Sequence, residues 1–123
     1  MRTSCEVDWL SPSILEFRYR GKVTVEDLQA MADNAHELIR ERVPKAQLVD
    51  TLAVESVPKE LGEILNELLN SYREAGGSLV VMIATSQLNA MLGRSMSFGA
   101  GIELELFDNR SDALKFVSNL SRI

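Results

Sequence analysis

Residues 78–84 read Ser-Leu-Val-Val-Met-Ile-Ala, an almost unbroken apolar run. It is too short for a long helix and too evenly apolar for a strand with one wet face. A run of this kind fits a central strand covered on both sides, and such a strand needs helices packed on the sheet. Its flanks agree. Gly76-Gly77 supplies a left-handed stop for a preceding helix, and Thr85 or Ser86 can cap the next one. The preceding helix shows as an apolar stripe of Leu61, Ile64, Leu65, Leu68, Leu69 and Tyr72, with Pro58 placed for its first turn.

The rest of the chain alternates in the same way. Residues 6–10 alternate polar and apolar, Ser11-Pro12-Ser13 breaks the pattern, and residues 14–19 alternate again until Gly21. Two such strands around a short break predict an antiparallel hairpin. Thr24 followed by Asp27 resembles a capping box and opens a helix carrying Leu28, Met31, Ala32, Ala35, Leu38 and Ile39. Arg40 and Arg42 suit the negative end of that helix, and Pro44 stops it. A short buried strand at Leu48 and Val49 follows, ending in Asp50. The third helix runs to about Phe98, Gly99-Ala100-Gly101 turns the chain, residues 102–107 form a last strand, and residues 108–111 cap a final helix through Leu120. The order is β-β-α-β-α-β-α-β-α. The expected fold is α/β, a mostly parallel sheet with an antiparallel N-terminal strand and about four helices, its crossovers right-handed. Without a linker, repeat or low-complexity segment, residues 1–123 are expected to form one domain.

Composition narrows function by exclusion. Eighteen acids against 13 bases leave a net charge of −5. That balance argues against nucleic acid, which needs a concentrated basic face. Arg18, Arg20 and Lys22 alternate along one strand, the pattern of a solvated strand face. No run approaches the roughly 18 apolar residues of a membrane span. The first residues lack an apolar signal core, so cytoplasmic residence is the expectation. Cys5 is the only cysteine; it excludes an internal disulfide and reads as a small apolar residue near the first strand.

No catalytic set stands out, and neither a metal nor a cofactor is expected. The only histidine, His36, lies within a helix beside Glu37, with no partner constellation around it. One histidine and one cysteine cannot build a zinc site. Asp50 and Asp108 sit at strand ends, where α/β sheets bind ligands. Asp108 is equally a helix cap, and Asp50 can tie down the loop that follows it. A response-regulator receiver reading fails, since no adjacent acid pair follows an early strand. A dinucleotide reading fails as well, since Gly99-Ala100-Gly101 precedes a strand instead of joining a strand to a helix.

Several local phrases, taken in order, resemble the STAS domain of sulphate transporters and anti-sigma-factor antagonists, and its SpoIIAA-like branch in particular. These are Gly21 to Leu28 after the second strand, Leu48-Val49-Asp50, Tyr72 to Gly77, and Phe107-Asp108 followed by Asp112-Ala113-Leu114. The resemblance covers nearly the whole chain. It implies a non-enzymatic module that binds a protein partner, a kinase or an anti-sigma factor, through the loop after the third strand and the helix that follows. Carried onto this chain, that surface spans residues 54–65, with Asp50, Glu55, Ser56, Lys59 and Glu60 as partner-binding candidates. The resemblance also implies a phosphorylated serine near residues 58–60, but the chain has Pro58, Lys59 and Glu60 there. Ser56 is the nearest hydroxyl and the weak phosphorylation candidate; helix capping accounts for it better.

SpoIIAA-like domains share their general fold with lipid-binding CRAL-TRIO domains. That implies an alternative, a small hydrophobic or lipid-like ligand beneath the third helix. Met82, Met91, Met96 and Phe98, with Leu88 and Leu92, form a soft apolar surface that would suit it. At helical spacing the same residues read more readily as core. Homodimerisation through edge strands or apolar helix faces stays open.

Overall fold

A computed structural model describes residues 3–121 of the chain. Met1, Arg2, Arg122 and Ile123, the ends of the expected 1–123 domain and part of the expected leaderless start, lie outside the described residues. Strands β1 (Cys5–Ser11) and β2 (Ile14–Lys22) form the expected antiparallel hairpin, with Glu6 opposite Arg18 and Val7 opposite Phe17. Helix α1 (Val25–Glu41) starts at Thr24, whose hydroxyl accepts from the Asp27 amide at 3.1 Å. Only half of the capping box forms. The Asp27 carboxylate accepts instead from the amide and hydroxyl of Ser4, both at 2.8 Å, and the Ser4 hydroxyl accepts from the Thr24 amide at 3.3 Å. Ser4, just ahead of β1, is thereby tied to the first turn of α1. Helix α1 ends at Glu41 ahead of Pro44, and the Arg42 guanidinium lies 4.3 Å above the Trp9 ring.

Strand β3 (Ala46–Ser56), helix α2 (Leu61–Glu74), strand β4 (Leu79–Ile83), helix α3 (Gln87–Ala100), strand β5 (Glu103–Phe107) and helix α4 (Arg110–Ser121) complete the order. The sheet runs β1-β2-β3-β4-β5, and every pairing after the hairpin is parallel. The expected α/β fold is therefore the fold observed. Helices α1, α2 and α3 cover one face, packing Leu28, Leu68 and Tyr72 against Phe17, Tyr19 and Val80. Helix α4 alone covers part of the other face, where Ala113 and Val117 meet Ile14, Leu48, Val81 and Ile83. Full burial of such side chains stabilises by about 1.5–3 kcal/mol each.

Several local expectations are corrected. Strand β3 is long, so Asp50 lies within it and not at its end. The central position belongs to β3; β4 lies beside the edge strand β5, although both its faces are covered. Pro58 precedes α2, accepting from the Leu61 amide at 3.1 Å in a turn, and Glu60 takes the N-cap position without a side-chain bond. Ser56 is the last residue of β3 and caps nothing. Asn109, not Asp108, caps α4, its side-chain oxygen accepting from the Asp112 amide at 2.8 Å. Helix α3 continues through Gly99 and stops at Gly101, which takes a left-handed φ of 71°.

Candidate functional site

Strand β3 runs past its neighbour. Its pairing with β4 ends at Asp50 opposite Ile83, yet β3 continues to Ser56 against β2. There the ladder slips twice: Arg18 faces Asp50, Arg20 faces Ala53, and Lys22 faces Ser56. Each slip places an extra residue in β3, and bulges of this kind re-aim side chains. Gly21 meets this irregular stretch with a φ of 60°, which glycine adopts without strain. Beyond Asp50 the overhang is anchored by Thr51, whose hydroxyl donates to the Ile83 carbonyl at 2.7 Å, and by the Val23 amide donating to the Ser56 carbonyl at 2.9 Å. Leu52, Glu55, Ser56, Val57 and Lys59 are exposed along it, and Glu60 is half-buried where α2 begins. Four of the five expected partner-binding residues thus lie on the overhang or in the turn that leads from it into α2.

The fifth, Asp50, is engaged elsewhere. It belongs to a chain of ions on the sheet face that α4 leaves partly open. Arg110, the first residue of α4, brings Nη1 to 2.9 Å from Asp50 Oδ2 and 2.6 Å from Glu16 Oε2, with its N–H directed at Asp50. The other oxygen of Glu16 accepts from Arg18 Nη1 at 2.8 Å. Glu6 then joins Arg18 and Arg20, each at 3.0 Å. Glu16 is only 2% exposed, so its charge is held by these partners. The guanidiniums of Arg18 and Arg110 are pushed above their ordinary range, Arg18 first by its bond to Glu6 and Arg110 first by the Glu16 carboxylate beside it. The carboxylates of this network neutralise arginines, and Asp108 binds the side chain of Asn109 at 2.8 Å. Among the described residues no three acids, histidines or cysteines could together hold a metal ion. His36 is half-buried on α1, and Cys5 is buried in β1 with its thiol pushed up by desolvation.

Behind the overhang lies an apolar cavity of about 90 Å³ between the sheet and helices α2 and α3. Met82 and Met96 line it as the ligand alternative expects. Met91 and Phe98 do not; they point outward from α3, 62% and 89% exposed. Helix α3 lies close over Met82 because residue 93 is glycine. A Cβ there would sit 2.4 Å from the Met82 sulfur. The sequence reading gave three residues of this region no role: Gln47, Thr51 and Gly93. The available signals were a polar residue at the mouth of an apolar strand and a glycine inside a helical pattern.

The sequence matches no family model and no curated protein. Solved structures do match. The anti-sigma factor antagonist SpoIIAA, in its unphosphorylated form, superposes with a TM-score of 0.75 at 6% identity, over 97% of this chain and 99% of that one. An uncharacterised protein of SpoIIAA-like fold from Shewanella loihica gives 0.67 at 17% identity, covering 91% and 90%. An anti-sigma factor antagonist from Mycobacterium paratuberculosis gives 0.62 at 17%, covering 93% and 92%. The chain has the SpoIIAA-like α/β fold, as its resemblance to STAS domains implies. Among the described residues no helix is long and apolar enough to cross a membrane.

Proposed function

We propose that this chain is a regulatory module of the anti-sigma factor antagonist kind, working by binding a protein partner and not by catalysis. The observation that carries the reading is the β3 overhang. It sets exposed apolar residues, Leu52 and Val57, among the charges of Glu55, Lys59 and Glu60, at the carboxyl end of the sheet. An apolar centre with a charged rim is the composition of a transient interface. Two of the structural neighbours are anti-sigma factor antagonists, which favours a partner of the anti-sigma factor or kinase class. We further propose that the module works without a serine switch at α2. The turn and N-cap before α2 hold Lys59 and Glu60, and Ser56 lies back in β3.

The test is a photo-crosslinker placed at Glu55 in the protein's own cells, followed by affinity measurements on the partner it captures. Reversing the rim with Glu55→Lys and Lys59→Glu should weaken that complex about tenfold or more, chiefly through association. Lys115→Glu on α4 should leave it unchanged. An affinity indifferent to the rim reversal removes this surface from the proposal.

A further inference from the structure

Gln47 is 2% exposed, and its Nε2 has no hydrogen-bond partner among the described residues. It stands on β3 between Ala46 and Leu48, which face α4, so its side chain enters the opposite face of the sheet. There it lines the apolar cavity described above. A buried amide donor with nothing to bind is costly, and strands this well packed seldom retain one without a use. Most of the wall around it is apolar, and the polar residues that also line the cavity, Tyr19, Thr51, Asn89 and Ser97, make no hydrogen bond with its Nε2. Phe17, Val49, Leu68, Val80, Leu92 and Leu104 are apolar throughout.

We propose that this cavity binds a small neutral molecule, apolar along its length, that carries one hydrogen-bond acceptor such as a ketone or ester carbonyl, and that Gln47 Nε2 donates to that acceptor. The inference does not rest on the proposed partner surface, although Val57 borders both. The charge of the ligand follows from the lining, which contains no lysine, arginine or histidine. A carboxylate head would be buried without a counter-ion, whereas a neutral carbonyl meets the neutral amide at no such cost. The size follows from the volume. An apolar cavity of about 150 Å³ takes up benzene, so about 90 Å³ holds only the carbonyl end of a slender chain, whose tail lies along the open side of the cavity. Met82 and Met96 give the wall some adaptability. The half-exposed Thr51 and Asn89 and the exposed Val57 border the side from which such a molecule would enter.

The experiment titrates the ¹⁵N-labelled 123-residue chain with 2-heptanone and follows the Gln47 side-chain amide by NMR. The ketone should move that resonance downfield and saturate. Heptanoate should bind at least tenfold more weakly. Gln47→Leu, which keeps an apolar wall, should weaken the ketone about tenfold, the worth of one hydrogen bond. Leu92→Trp, which fills the cavity while leaving Gln47 in place, should abolish binding, its own spectrum showing that the fold is kept. The proposal is overturned if the ketone leaves the Gln47 amide unmoved, so that the amide meets only water. It is equally overturned if Gln47→Leu binds the ketone as well as the parent, or if heptanoate binds as tightly.

Discussion

Tyr72 is fully buried, and its hydroxyl lies 3.2 Å from the Pro44 carbonyl and 3.1 Å from that of Leu79, so one side chain ties the entry of β3 to the start of β4. The approach depends on Gly77, where a Cβ would fall 2.1 Å from the Tyr72 ring. Gly77→Ala should therefore destabilise by about 3 kcal/mol, since the ring is packed and has nowhere to go. Urea unfolding of Gly77→Ala with and without Tyr72→Leu checks the cause, and the double variant should recover part of the loss. Burial also pushes the Tyr72 phenol up to about 12, and that of Tyr19 higher still. In the unfolded chain both ionise near 10, so above that pH the unfolded state binds fewer protons than the folded one. Stability should fall as pH rises from 10 towards 12, by about 1.4 kcal/mol per pH unit for each tyrosine. Urea midpoints from pH 9 to pH 11 would show it. Tyr72→Phe should remove one tyrosine's share of the slope, and an unaltered slope would contradict the assignment.

The elements most legible in the sequence are those whose periodicity is sustained. Helices α1 and α2 carry apolar stripes over several turns, β4 is apolar throughout, and Ser86 and Gly101 mark the ends of α3. Strand β3 was legible only where it is buried. Its second half, residues 51–56, is exposed or half-exposed and bulged, so neither alternation nor an apolar run reveals it. The same limit hid the ion network, because Glu16, Asp50 and Arg110 are far apart in sequence and meet only when α4 folds back on the sheet. Arg110→Ala should cost about 2–3 kcal/mol, the low end for a buried pair because the guanidinium is partly exposed and Glu16 keeps Arg18. Combining Arg110→Met with Glu16→Leu should recover much of that, since the buried charge is then gone. A double variant no more stable than Arg110→Ala in urea would show that the network does more than neutralise Glu16.

Across the whole molecule, the two faces of the sheet carry different duties. One is covered by three helices and holds the cavity; the other is half-covered by α4 and laced with ions. Hydrogen exchange should follow that division. Amides of β3 before Asp50 and of β4 should exchange slowest, and those of residues 52–56, beyond the reach of β4, much faster. Uniform protection along β3 would mean the overhang is held by something other than β2. The cavity itself was only half legible. Two methionines pointed to it, while the buried amide of Gln47 emerges only from the three-dimensional placement of β3. The strand order adds a consequence for how the molecule is made. Because each strand pairs with its predecessor in the chain, from β1 to β5, the sheet can grow at one edge as the polypeptide emerges during synthesis. No strand has to wedge between two already paired. Every intermediate ends on an open parallel edge that the next βα unit closes, and α4 docks last, locking Arg110 onto Glu16 once synthesis has passed the sheet.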